Sequence, residues 1–187
     1  MTNEQVFVCT NGFDPLFCLS VQAQRRGTYT VLQAGGMFGL STTSEQSAMH
    51  GYQFQFAFGR NFYDRMFLGL GIGNDVYRGR SILVDGSRST RRISTLPIFV
   101  DFRAPFARIS PLGTFGAVAD AGYAPSIGAD YFKGFMGKAG FTYSHLLIDG
   151  SDLQFSAGYG FQQFDSRFSE RAFNQHSAFI TVGLFVH

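Results

Sequence analysis

The sequence predicts an all-β fold, an eight-stranded antiparallel up-and-down transmembrane β-barrel. Three observations carry that prediction. Segments of about ten residues alternate between apolar positions and small or polar ones. Charged residues make up only 15% of the chain while Phe and Gly number 23 each. The connections between the alternating segments are in turn short and long.

The 187 residues suffice for one domain. A charged fraction of 15% stands against roughly 25% in an ordinary soluble domain. Thirteen Arg stand against two Lys, Lys133 and Lys138, whereas soluble exteriors lean on Lys and Glu. No apolar run reaches the ~18 residues of a membrane-spanning helix, because nearly every second position interrupts it. A formal net charge of +2 is too small to point to nucleic acid.

Residues 1–23 read as an export signal. The stretch Pro15 to Ala23 is short and mostly apolar, and Val21 and Ala23 are the small residues a signal peptidase accepts, which places cleavage after Ala23. Both cysteines, Cys9 and Cys18, fall in this leader, so residues 24–187 form a single barrel domain without disulfides.

Eight segments follow. In the first, near Thr28 to Leu40, Leu32, Ala34, Phe38 and Leu40 share a parity. The second, His50 to Gly59, sets Tyr52, Phe54, Phe56 and Phe58 against Gln53, Gln55, Ala57 and Gly59. Successive strand side chains point to opposite faces, so this segment is two-faced. The third sets Met66, Leu68, Leu70 and Ile72 against Gly69, Gly71 and Gly73. The fourth, starting at Leu96, sets Ile98, Val100 and Phe102 against Phe99, Asp101 and Arg103. The fifth runs from Thr114 to Tyr123, the sixth from Phe135 to Tyr143, the seventh from Leu153 to Gln162 and the eighth from Ala178 to Val186, each alternating in the same way.

Short links are expected at Arg60–Arg65 and His145–Asp152, and a medium one bears Pro105 and Pro111. Longer polar loops are expected at Ser41–Met49, Tyr77–Arg91, Ala124–Tyr131 and Asp165–Gln175. Short turns at one end and long loops at the other are the pattern of a bacterial outer-membrane barrel.

Alternation alone does not separate such a barrel from a soluble one of the same strand count; residue types do. The second face is Gly, Gln, Ser and Thr with a few ions and almost no Lys or Glu. That suits a crowded lumen, and the Phe- and Leu-bearing face suits hydrocarbon. The tyrosines at segment ends, Tyr29, Tyr52, Tyr63, Tyr77, Tyr123, Tyr131 and Tyr143, are expected to form interfacial girdles.

In these features the stretch Gly27 to His187 resembles the small outer-membrane β-barrels of Gram-negative bacteria, the group of outer membrane proteins A and X and the PorT-like barrels. The resemblance implies a place in the bacterial outer membrane and insertion by the barrel-assembly machinery, although the last Phe here, Phe185, stands two residues before the end. It implies no specific activity.

Asp75, Asp101, Arg103, Asp120 and Lys138, with Gln53 and Gln55, fall on the expected inner face and form a candidate polar network. Ions buried there need partners, and a proton or ion path is the sharper alternative. Arg78, Arg80, Arg88, Arg91 and Arg92 crowd the third long loop, where guanidinium forks could hold lipopolysaccharide phosphates. No spacing of Cys or His suggests a metal, no phosphate loop or other cofactor motif appears, and no catalytic set stands out. His176-Ser177 is a poor nucleophile–base pair because adjacent strand residues diverge. The expected role is therefore structural or interactive, through outer loops engaged in adhesion, envelope integrity or a complex with another membrane protein. A narrow porin-like channel is the alternative, and a lipid A-modifying enzyme the more distant one.

Overall fold

The computed structural model describes residues 27–43, 48–82, 88–127, 131–148, 150–165 and 172–187. The expected leader, with Cys9 and Cys18, lies outside the described residues. The strands are β1 (Thr28–Thr42), β2 (His50–Phe62), β3 (Met66–Ile82), β4 (Arg88–Thr95), β5 (Ile98–Arg108), β6 (Gly113–Ala124), β7 (Gly134–Ile148), β8 (Ser151–Phe164) and β9 (Phe173–Val186).

Every neighbouring pair is antiparallel, and β1 pairs with both β2 and β9, so the sheet closes on itself. The wall has eight strands, because β4 and β5 are successive parts of one. Asp75 pairs Thr95 and Ile72 pairs Ile98 in a single unshifted register, and the amide of Gly73 donates to the Pro97 carbonyl at 2.9 Å. Pro97 has no N–H to return, which divides the strand at that point. The fourth segment therefore resumes at Ile98 rather than starting at Leu96.

Side-chain alternation sorts cleanly between the two faces. Leu70 and Phe141 are each 67% exposed and Phe54 52%, whereas Gln55 is 1% and Asp101 0% exposed. The bulky apolar residues point away from the barrel axis and the polar ones toward it. In water such an outer wall would be a very large unprotected apolar surface. Against acyl chains it is the required one, with the backbone paired from strand to strand around a closed sheet. From Arg60 to His50, β2 climbs ten residues. At about 3.4 Å per residue and a tilt of about 40°, that spans about 26 Å, close to the height of a bilayer's apolar band. Among the described residues no helix is long and apolar enough to cross a membrane; the crossing elements are strands.

Two expectations are corrected. Tyr77–Arg91 is not an irregular loop: β3 runs on to Ile82 and pairs with β4 through Asp75–Thr95 to Ile82–Arg88, making a hairpin that rises above the belt. In the sequence Arg78 to Ser81 and Arg88 to Arg92 carry no apolar side chain, so no hydrophobic period announces it. Tyr29 and Tyr77 are not girdle residues; each is 1% exposed and points into the lumen. Each shares its strand's inner parity, Tyr29 with Gln33 and Tyr77 with Asp75, and that outweighs position near a strand end.

Candidate functional site

The lumen is filled by two apolar clusters and a polar network. Tyr29, Val31, Ala57, Phe67, Phe99, Met136 and Phe185 form one apolar cluster, which climbs from Tyr29, Phe67 and Phe185 at the short-turn end to Phe99 and Met136 higher on the wall. Phe67 meets Phe185 edge-on with ring centroids 4.9 Å apart, and Tyr29 meets Phe67 edge-on at 5.5 Å. Met37, Met49, Tyr77, Ile93, Val118, Phe164 and Phe179 form a second, which reaches from the long-connection end down to Val118 at mid-strand. Along each of the first three strands polar residues lie between the two: Gln33 between Val31 and Met37, Gln55 and Gln53 between Ala57 and Met49, and Asp75 between Phe67 and Tyr77.

The polar zone is built on two ion pairs. Arg103 Nη2 lies 2.9 Å from Asp101 Oδ1, and Arg103 Nε donates to both carboxylate oxygens at 3.0 Å. The other guanidinium bonds reach Gln33 Oε1 at 3.2 Å and Gln154 Oε1, and Gln33 Nε2 donates to Gln55 Oε1 at 2.8 Å. Tyr29 donates its hydroxyl to Asp101 Oδ2 at 2.6 Å. In the second pair Lys138 Nζ lies 3.0 Å from Asp75 Oδ2 and also donates to Gln53 Oε1. Asp120 is the cross-strand partner of both Asp101 and Lys138, so it stands between the two groups. All five ionisable side chains are buried. Desolvating them is costly, and shared hydrogen bonds from several strands offset that cost.

The structure thus brings Gln53, Gln55, Asp75, Asp101, Arg103, Asp120 and Lys138 into one luminal zone. Sequence reasoning left out Tyr29, Gln33 and Gln154, which complete the shell around Asp101 and Arg103; inner-face parity was the signal that could have found them. A cavity of about 430 Å³ opens at the short-turn end and reaches in to Arg103 and Gln154, with Phe67, Phe185, Asp152 and His187 on its walls.

The arginines stand apart from this zone. Arg78 and Arg92 are exposed on the outer wall and are direct cross-strand partners in the β3–β4 hairpin. Arg80, Arg88 and Arg91 are placed by register only, opposite Thr90, Ile82 and Gly79. His176 and Ser177 diverge: His176 faces outward to the Tyr159 hydroxyl, while the buried Ser177 hydroxyl donates to the Gly160 carbonyl at 3.5 Å. Among the described residues no three His, Cys, Asp or Glu side chains come together as a metal site.

Among solved structures the chain is similar to Neisserial surface protein A, with a TM-score of 0.53 and 16% identity over 85% of this chain and 96% of that one. It is similar also to the outer membrane protein OprG from Pseudomonas aeruginosa, with a TM-score of 0.55 and 9% identity over 86% of this chain and 95% of that one. The fold is that of a bacterial outer-membrane β-barrel. Identity this low carries the architecture of the outer-membrane barrel and no activity. Neither the protein-family models nor the curated proteins searched give a match.

Proposed function

We propose that this outer-membrane barrel is a closed, non-conducting scaffold that works through its outer surface, holding the rim and long connections in place for adhesion, envelope integrity or membership of a membrane complex. The observation that carries the reading is the filled lumen. Two apolar clusters pack around polar groups whose guanidinium and ammonium are already engaged by protein partners. Ions held this way tie strands together rather than line a hydrated path. The cavity at the short-turn end stops at Arg103, which favours a plugged barrel over the narrow-channel alternative.

Planar-bilayer recording of the folded protein tests this. The expected result is no discrete conductance above the bare bilayer. Reproducible single-channel steps that vanish on heat unfolding would overturn the scaffold reading in favour of the channel.

A further inference from the structure

We propose that His50, Arg78 and Arg92 form a grip for the phosphate of an outer-leaflet lipid headgroup, the phosphorylated glycolipid base of lipopolysaccharide. The proposal rests on the outer-membrane reading and adds a site to it.

The register builds the site. His50 on β2 is the direct partner of Arg78 on β3, and Arg78 is the direct partner of Arg92 on β4, so the three residues form one row across three adjacent strands. All three are exposed and face outward. Directly opposed side chains start about 5 Å apart at Cβ, and like charges so placed repel one another. An Arg–Arg pair at that spacing is therefore unfavourable by itself and becomes favourable with an anion between the forks. The ion pairs among the described residues involve Arg103, Lys133 and Lys138, and none reaches Arg78 or Arg92.

Position says which anion. The row below on the same strands is Tyr52 with Val76, and below that come Phe54, Phe56 and Phe58 with the belt. The Arg78 guanidinium lies 5.8 Å over the Tyr52 ring, and the His50 ring stands edge-on to Phe38 at 6.5 Å. Aromatic rings at this height mark the level at which acyl chains give way to headgroups. The contact with Tyr52 holds one guanidinium against the wall, and a fork so placed can meet phosphate oxygens two at a time. An imidazole N–H and a second fork complete a set of donors all at headgroup level. A soluble anion would meet the same donors but would gain nothing from the apolar wall beneath them; a lipid uses both.

The test is native mass spectrometry of the whole protein released from detergent, with bis-phosphorylated lipid A and its dephosphorylated form as probes. The wild type should retain the phosphorylated lipid at least about tenfold better than the dephosphorylated one. Arg78→Gln with Arg92→Gln should lose about tenfold of that retention, while Arg60→Gln, at the opposite edge of the belt, should keep it. Retention unchanged in the double variant, equal retention of the two lipids, or displacement by excess inorganic phosphate would each overturn the proposal. Each variant is first checked for the heat-modifiable mobility of a folded barrel. A wild type that lacks that mobility, or stays soluble without detergent, overturns the outer-membrane reading instead.

Discussion

Tyr29, one residue into the first strand, hydrogen-bonds through its hydroxyl to Asp101 in the fourth strand of the wall, 72 positions away, at 2.6 Å. The same ring packs edge-on to Phe67, so one side chain joins the apolar cluster at the short-turn end and anchors the ion pair above it. Tyr29→Phe keeps the packing and removes the bond. It should cost about 1–3 kcal/mol, the usual penalty for leaving a buried charged acceptor short of a donor. Urea unfolding in detergent micelles, followed by electrophoretic mobility, checks this; an unchanged midpoint would mean that the hydroxyl contributes nothing.

Lys138 and Asp75 form a pair with almost no access to solvent. Lys138→Met leaves the carboxylate unpaired and should destabilise the barrel by about 3–5 kcal/mol. Adding Asp75→Leu should recover most of that loss, since a matched apolar pair is often no worse than a buried ion pair. A double variant as unstable as the single one would show that the two side chains do not act as a unit.

Gly59 and Gly69 face each other across β2 and β3 beneath the Tyr29 ring. A Cβ on Gly69 would stand 2.5 Å from the Tyr29 hydroxyl and 2.5 Å from the Phe58 carbonyl oxygen. Gly69→Ala is therefore expected to cost about 1–3 kcal/mol through overpacking. Gly36→Ala, whose new methyl would meet nothing nearer than the lipid-facing Phe38 ring at 3.7 Å, should leave stability nearly unchanged. Comparing the two midpoints separates crowding in the lumen from any general effect of losing a glycine.

Leu70 is 67% exposed at mid-belt. If hydrocarbon covers it, Leu70→Arg should cost about 2–4 kcal/mol in phospholipid vesicles, and Thr28→Arg at the lower rim no more than about 1 kcal/mol. Equal, small effects at both places would contradict an apolar environment around the wall.

The sequence carries the wall of the barrel better than its rim. In β2 the contrast of Tyr52, Phe54, Phe56 and Phe58 with Gln53 and Gln55 is a direct imprint of lipid on one side and a packed lumen on the other. The β3–β4 hairpin left no such imprint, because above the bilayer both of its faces can be polar and the period-two signal fades. Tyr29 and Tyr77 were misplaced because a tyrosine near a strand end suits an interfacial girdle as well as an inner cap. Only parity distinguishes the two cases. Parity puts Gln33 and Gln154 on the inner face, but not beside Arg103: they come from strands far apart in the chain, and their convergence depends on the register of the closed sheet.

That convergence bears on how the barrel assembles. Arg103 draws its neighbours from β1, β5 and β8, and Lys138 draws its own from β2 and β3. A half-built sheet lying in a bilayer would carry these ions without most of their partners and would also expose two unpaired edges. Both penalties vanish together when β1 meets β9. Partly inserted forms are thereby raised in free energy relative to the chain outside the membrane and to the finished cylinder, which makes insertion and closure a single cooperative event.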